Sequence, residues 1–369
     1  MGELWIVLAV SCGLAFLSEK YIFAWNGRAS KVLNNGVVIL LIVYLSIFAG
    51  LRTSYNDTYT YMIHYKEMLS FPDILADFSW KLGDNPGFVL VNSLLKAAGF
   101  QTQTFVLFYS VLFVTSAVVF LKRYSDSFTL SIFLFVCANG YLFSMAAMKQ
   151  CASMAIGLMA IPCIFKRRWI RFGLIVFLGA TFHPYILLFL LIPFLNFRPW
   201  SGRTFLLLAL TLGTGLFFPK VVGAVVDAAA LLGDSYDAEN FIGEGINIFR
   251  IFVASVPVLL TLVFQRSLVE RGNTAKNYIF INCSFIYACI MFVGLFGTAN
   301  YFGRLANYFT VFPAIALPMI IKCLPKQERH FLTVSMVICY LAYFYYGNAI
   351  NESFANEFSR ITMWSYLLS

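Results

Sequence analysis

Long apolar runs are the feature that most constrains the fold of this chain. Several approach the roughly 20 residues that a helix needs to cross a bilayer core, and they lack the alternating stripes of soluble proteins. Hydrophobic residues make up 60% of the sequence and charged residues 12%, whereas soluble domains carry about 25% charged residues. The sequence therefore predicts an all-α, polytopic transmembrane helical bundle, with residues 1–369 forming a single membrane domain in the lipid bilayer.

The apolar runs and their charged flanks predict about 12 membrane segments. These segments lie near residues 4–18, 32–51, 104–121, 128–146, 150–165, 169–181, 184–197, 204–226, 246–264, 277–296, 304–322 and 331–347. The first apolar run, Leu4 to Leu17, follows Glu3 rather than basic residues. We therefore expect it to remain as a membrane helix and not to be cleaved as a signal peptide.

Basic residues predict the orientation of these segments. Lysines and arginines are concentrated in alternate loops, which the positive-inside rule assigns to the cytoplasm. They are Lys20, Arg28, Lys31, Lys122, Arg123, Lys166, Arg167, Arg168, Arg171, Arg198, Arg203, Arg266, Arg271, Lys276, Lys322, Lys326 and Arg329. Both termini are therefore predicted to face outward. The net charge of +9 is explained by membrane topology, so we predict no nucleic-acid partner.

On this topology residues 52–103 and 227–245 form two long outer segments, which are candidate substrate-binding loops. The apolar stretch Gly87 to Gly99 lies within the first of them. If it crossed the membrane, the basic pair at 122–123 would lie on the wrong side. It is therefore predicted to be a re-entrant or interfacial helix on the outer face.

Segments 169–181 and 184–197 are shorter than an ordinary crossing. At 1.5 Å per residue each reaches roughly 20 Å, whereas the bilayer core measures about 30 Å. Their shared tip at His183 is expected to end inside the membrane, at the floor of an outward-open cavity. The alternative is one helix over 169–197, kinked where Pro184 breaks the hydrogen-bond ladder.

Motifs for metal or nucleotide binding are absent from the sequence. The eight cysteines lie mostly in apolar runs, with no C-x-x-C pair and no histidine at ligand spacing. The sequence also lacks a Walker loop, G-x-G-x-x-G, G-x-S-x-G and H-E-x-x-H. We therefore predict no metal and no other cofactor.

The polar stretch that follows the second apolar segment is the first candidate site. Arg52 offers a planar charged fork suited to phosphate, and Asp57 could accept a proton from a hydroxyl nucleophile. Tyr59, Tyr61 and His64 offer ring faces and polar edges suited to binding a sugar. The alternative is an interfacial tyrosine belt with a snorkelling arginine.

A second candidate stretch contains Asn300, Arg304 and Tyr308. Arg304 is predicted at the outer entrance of an apolar run, where a charge is costly unless it meets a partner or an anionic ligand. The alternative is an interfacial anchor paired with an acid.

Two shorter motifs complete the candidate residues. Lys149 and Gln150 lie at an outer helix end, where the lysine is a third candidate phosphate contact or a plain interfacial residue. His183 precedes Pro184 at a helix break. It is either a structural hydrogen-bonding residue or a general base, because its unperturbed pKa lies near neutrality.

These motifs together resemble the EpsG/Wzy-type family of bacterial polysaccharide polymerases, membrane proteins of the GT-C glycosyltransferase kind. The resemblance rests on Arg52 with Asp57 and Tyr61, Lys149-Gln150-x-x-Ser153, Phe182-His183-Pro184, and Arg304 with Tyr308. Two positions depart from the family pattern, since Lys149 stands where arginine is usual and Ser153 where alanine is expected.

The resemblance implies that a growing glycan is transferred from undecaprenyl pyrophosphate to the terminal sugar hydroxyl of a lipid-linked oligosaccharide, on the outer face of the bacterial inner membrane. It implies that Arg52 and Arg304 hold the pyrophosphate, that Asp57 or His183 orients or deprotonates the acceptor, and that no metal is needed. A membrane protein that regulates chain length is a candidate partner.

Three other functions stay open on the sequence. A glycosyltransferase or ligase that transfers a lipid-linked sugar once would give a short product. A flippase for lipid-linked oligosaccharides would show inverted repeats and charges across the bilayer midplane, whereas the notable charges here gather at one face. A membrane O-acyltransferase would use His183 as its base.

Overall fold

A computed structural model gives the fold and describes residues 1–19, 24–25, 28–29, 31–231, 241–272, 274–351 and 354–368. The predicted cytoplasmic residue Lys20 and residues 232–240 of the second predicted outer segment lie outside the described residues.

Helices dominate the described chain. They are α1 (Gly2–Glu19), α2 (Lys31–Gly50), α3 (Thr58–Glu67), α4 (Phe71–Ala76), α5 (Pro86–Ala97), α6 (Thr102–Tyr124), α7 (Phe128–Cys137), α8 (Gly140–Ala146), α9 (Met148–Phe165), α10 (Trp169–Ala180), α11 (Gly202–Leu216), α12 (Phe218–Leu231), α13 (Ile248–Val263), α14 (Gln265–Arg271), α15 (Ala275–Val293), α16 (Ala299–Asn307), α17 (Pro313–Lys322), α18 (Lys326–Tyr345), α19 (Phe354–Glu357) and α20 (Met363–Leu368). Leu82–Asp84 and Pro184–Leu195 form 3₁₀ helices, and Tyr346–Asn351 forms a π-helical end to α18.

The strands are short and form two antiparallel pairs. β1 (Ala24–Trp25) pairs with β2 (Arg28–Ala29), and β3 (Arg52–Ser54) pairs with β4 (Ser359–Arg360). The prediction of an all-α fold is therefore confirmed.

Each predicted membrane segment coincides with a helix or a broken helix. Among the described residues, five helices are long and apolar enough to cross a membrane, or up to eight if each bent helix pair is one span. Four shorter apolar helices complete the set. The polytopic architecture is confirmed, while the number of about 12 crossings stays a prediction.

Helix α5, which lies within the stretch predicted to be re-entrant or interfacial, has 12 residues. At 1.5 Å per residue it reaches only about 18 Å.

The prediction of one continuous segment over 304–322 is wrong, because α16 ends at Asn307 and α17 begins at Pro313. The intervening residues form tight i to i+3 turns, such as the bond from Phe309 N to Ala306 O at 2.8 Å. Pro313 has no N–H to continue a helical ladder. Arg304 therefore lies in the last turn of a short helix, and not at the start of a long one.

The chain forms two compact units, and the first comprises residues 1–190 and 332–369. In it α2 packs against α1 and α6, and α9 packs against α6 and α10. A Cβ added to Gly157 would lie 2.6 Å from the Cδ1 atom of Ile186, so α9 approaches the 3₁₀ helix at Pro184–Leu195 closely.

The C-terminal segment, residues 354–368, packs against the end of α2 within the same unit. The ring of Phe358 stacks on Phe48, with centroids 5.2 Å apart. Arg360 pairs with Glu3 at 3.4 Å. The start of α1, the end of α2 and the C-terminal segment thus share one end of the unit. The side of the membrane that this end faces stays a prediction.

The second unit comprises residues 191–331. Helix α15 packs against α11, α13, α16 and α17. The buried amide of Asn282 on α15 donates hydrogen bonds to the carbonyls of Leu195 and Phe197, both at 2.7 Å. This polar contact ties the chain leaving the 3₁₀ helix to the centre of the unit. The prediction of a single domain is not tested by this division and stays a prediction.

Candidate functional site

The first candidate stretch forms a corner between α2 and α3, residues 49–58. Arg52 is only 1% exposed there. Its Nε donates to the Thr58 hydroxyl at 2.9 Å, and its Nη1 donates to the Ser110 hydroxyl at 3.0 Å and to the Ala49 carbonyl. Burial lowers the pKa of Arg52 to about 10, so the side chain stays charged at neutral pH. Arg52 therefore stabilises the corner through hydrogen bonds to uncharged oxygen atoms.

The backbone of this corner is strained just before Asp57. Tyr55 and Asn56 have positive φ angles of 144° and 47°, and each such non-glycine residue costs about 1–3 kcal/mol. The buried ring of Tyr55 lies 5.3 Å from that of Phe354, so the C-terminal segment supports the strained turn. Asp57 occupies the N-cap position of α3 without a side-chain capping bond. Backbone strain of this kind is concentrated at functional sites in proteins.

The break between α8 and α9 lies next to the corner. The Thr58 hydroxyl, which accepts from Arg52, lies within donating distance of two carbonyl oxygens, that of Tyr55 at 2.8 Å and that of Met145 at 3.1 Å. Lys149 is half-buried and Gln150 is buried in the first turn of α9. The N-terminal turn of a helix carries the positive end of the helix dipole, which favours an anion. Lys149 adds a formal positive charge at this helix end.

His183 lies in the turn between α10 and the 3₁₀ helix. The fully buried Ser153 donates to the carbonyls of Gly179 at 2.9 Å and His183 at 3.2 Å. Both carbonyls also accept backbone N–H groups of the turn, with Phe182 N at 3.0 Å from the Gly179 oxygen, so the serine hydroxyl adds a bond that holds the turn against α9. The half-buried His183 ring packs edge-on against Tyr185 at 5.1 Å. Sequence reasoning did not predict this role for Ser153, although its departure from the family pattern was the available signal.

A buried, mainly aromatic cluster includes residues of α3, of the first turn of α9 and of the turn that carries His183. Its buried members are Tyr65, Phe88, Phe105, Val106, Tyr109, Met148, Ala152 and Phe182. Tyr61 packs edge-on against Phe88, with centroids 6.0 Å apart. Gly87 N donates to the Thr181 carbonyl at 2.8 Å, which fixes the start of α5 to the turn that carries His183.

The fold therefore gathers the elements that carry six of the candidate residues, while two further ones project from α3. The gathered residues are Arg52, Asp57, Tyr61, Lys149, Gln150 and His183. Tyr59 is 64% exposed and His64 is also exposed. The substrate-binding roles predicted for these residues stay predictions.

The second candidate stretch lies in the second unit. Asn300 is exposed, and its backbone N–H donates to the N-cap hydroxyl of Thr298 at 3.2 Å. Arg304 is exposed in the last turn of α16, whereas Tyr308 just beyond it is fully buried. Ala299 N donates to the Glu244 carbonyl at 2.7 Å, so the end of the second predicted outer segment is tied to the start of α16.

The described residues contain no group of three or more histidine, cysteine, aspartate or glutamate side chains that could hold a metal ion. The prediction of a metal-free site stays a prediction.

Comparison with known proteins bears on the function of this site. Residues 36–366 match the model of the EpsG family, which confirms the resemblance drawn from the short motifs. No curated protein and no solved structure matches the chain.

Proposed function

We propose that this chain, which belongs to the EpsG family, polymerises undecaprenyl-pyrophosphate-linked oligosaccharide units into a surface polysaccharide. EpsG membership supports a glycosyltransferase-like polysaccharide polymerase, and the apolar helices support a multi-pass membrane protein. The proposal adds the lipid-linked donor and places the reaction on the outer face of the bacterial inner membrane.

The observation that carries the proposal is the meeting of the α2–α3 corner, the start of α9 and the His183 turn around one aromatic cluster. A carboxylate, an imidazole, a lysine and a row of tyrosines are thereby carried by adjoining elements. This combination suits a sugar that bears an anionic leaving group.

The proposed reaction joins two lipid-linked glycans. The hydroxyl oxygen of the acceptor sugar attacks the anomeric carbon of the growing chain, and the bond from that carbon to the pyrophosphate oxygen breaks. The acceptor proton passes to Asp57 or His183, and the bonding electron pair leaves with the lipid pyrophosphate. Lys149 and the N-terminal turn of α9 stabilise the charge that develops on this leaving group.

The remaining residues have supporting roles in this proposal. Tyr59, Tyr61 and His64 on α3 bind the sugar. The buried Arg52 stabilises the α2–α3 corner and adds a positive charge to it. Arg304 is proposed to bind the pyrophosphate, as the resemblance to the family implies.

Deleting the gene and separating the surface polysaccharide on a gel tests the proposal. We expect single repeat units on an intact lipid carrier, and restoration of the ladder by the wild-type gene. Loss of every unit from the outer face would indicate a flippase. An unchanged ladder that lacks only its attachment to a final acceptor would indicate a single-transfer ligase.

A further inference from the structure

The loop between α4 and α5 exposes an aromatic ring that the reaction above does not use. Trp80 is 77% exposed, and Leu69 and Leu75 nearby are 64% and 48% exposed. The indole and the Phe78 ring meet in a T-shaped contact, with centroids 4.8 Å apart and planes at 77°. Phe78 therefore supports the Trp80 ring, most of whose surface is nevertheless exposed.

The loop is ordered by its own hydrogen bonds. The Ser79 hydroxyl donates to the Asp84 carboxylate and accepts from Lys81 N at 3.3 Å. Asn85 adopts a left-handed conformation with a φ of 55° and ends the 3₁₀ turn. A binding group held in place in this way loses less conformational entropy when it binds a ligand.

The loop is tied to the His183 turn. Gly87 N bonds the Thr181 carbonyl at 2.8 Å, and Trp80 precedes Gly87 by a stretch that spans at most about 25 Å when fully extended. The Trp80 ring is therefore within reach of an oligosaccharide that extends from the proposed transfer site.

The charge of the loop indicates the chemistry of its ligand. Residues 77–85 carry the carboxylates of Asp77 and Asp84 against one lysine, Lys81. Acidic segments are repelled by anionic lipid headgroups and by pyrophosphate, whereas basic segments are attracted to them. A neutral sugar matches this surface, because its apolar ring face can stack on an indole while its hydroxyls donate to carboxylates.

We propose that Trp80, with Asp77 and Asp84, forms a binding subsite for a neutral sugar of the growing glycan. The subsite rests on the proposed polymerase function and adds a way to retain the product between transfers. Its loss shortens the polymer but leaves the first coupling of two units intact.

The test compares Trp80→Ala, Trp80→Phe and the control Trp364→Ala in the full-length protein. Trp364 is a matched control because it is 71% exposed on the C-terminal helix α20. Purified protein in neutral-lipid nanodiscs is titrated with oligosaccharides released by mild acid from the organism's own polysaccharide. We expect Trp80→Ala to bind them about two- to tenfold more weakly and to give a shorter ladder in cells. Trp80→Phe should retain part of both, and Trp364→Ala should match wild type.

Two results would overturn the subsite. One is wild-type glycan binding and a full ladder in Trp80→Ala. The other is an equal shortening of the ladder in Trp80→Ala and Trp364→Ala without any change in glycan binding, which would make both residues membrane-interface anchors. If gene deletion left the ladder intact, the polymerase function itself would fail. If deletion gave single units while Trp80→Ala gave a full ladder, only the subsite would fail.

Discussion

The α2–α3 corner and helix α16 both carry an arginine beside an apolar run, but they hold it in opposite ways. Arg52 is 1% exposed and bonded to three neutral oxygens, whereas Arg304 is exposed on a nine-residue helix. A buried arginine of this kind organises the backbone around it, while an exposed one is accessible to an anion. An arginine next to an apolar run is therefore a buried structural residue in the first unit and a solvent-exposed cation in the second.

The largest expected effect concerns the chemistry of the corner. Asp57→Asn should slow transfer by roughly 10²- to 10⁴-fold, because the neutral amide cannot take up the proton of the attacking sugar hydroxyl. Asparagine has almost the same size as aspartate and keeps one acceptor oxygen, so protein abundance should stay close to the wild-type level. Polymer formation by purified protein measures the rate, and Asp73→Asn on the exposed α4 is the control. Wild-type activity in Asp57→Asn would leave His183 as the candidate base.

Exchanging each arginine for lysine probes the comparison directly. Arg52→Lys keeps the charge but loses the fork that bonds Thr58, Ser110 and Ala49 together. We expect a loss of about 2–4 kcal/mol in the free energy of unfolding. Thermal unfolding of the detergent-solubilised protein measures it. An unchanged unfolding temperature would mean that Arg52 does not stabilise the corner.

The space around one glycine in each unit gives a second comparison. A Cβ added to Gly87 would lie 2.1 Å from Thr181 Oγ1 and 2.9 Å from Thr181 Cβ, whereas nothing lies within 4 Å of a Cβ added to Gly303 on α16. Gly87→Ala should therefore cost about 1–3 kcal/mol of stability and shift the His183 turn. Gly303→Ala should be neutral or slightly stabilising in its helix. Equal unfolding temperatures for the two variants would contradict the packing described for Gly87.

The smallest expected effect is that of Arg304→Lys. Lysine can snorkel at the same depth, so abundance and unfolding temperature should stay at the wild-type level. The loss of paired hydrogen bonds to pyrophosphate should lower the transfer rate roughly tenfold. Full-length polymer made at the normal rate would identify Arg304 as a membrane anchor.

The sequence predicted the helices well because membrane segments are marked by long apolar runs. The break between α16 and α17 was missed because the residues from Leu305 to Ile321 are mostly apolar, although Pro313 within them was the available signal. The return of Ser359–Arg360 to pair with β3 had no local signal, because strands this short show no periodicity and their partners lie about 300 positions apart in the chain.

The candidate site was predicted in part. The polar motifs identified the elements that meet around the aromatic cluster, but not the depth of each side chain. The burial of Arg52 depends on Ser110 of α6, and that of Tyr308 depends on the turn after α16. Tertiary contacts of this kind cannot be read from residue types alone.

Reconstitution tests the polymerase proposal most directly. Purified full-length protein is incorporated into liposomes with lipid-linked repeat units as the sole substrate, and the products are sized by gel electrophoresis. We expect a ladder of multiples of the repeat unit that depends on Asp57 and persists in the Asp73→Asn control. Recovery of unchanged units, or of units that are only moved across the membrane, would contradict the polymerase function.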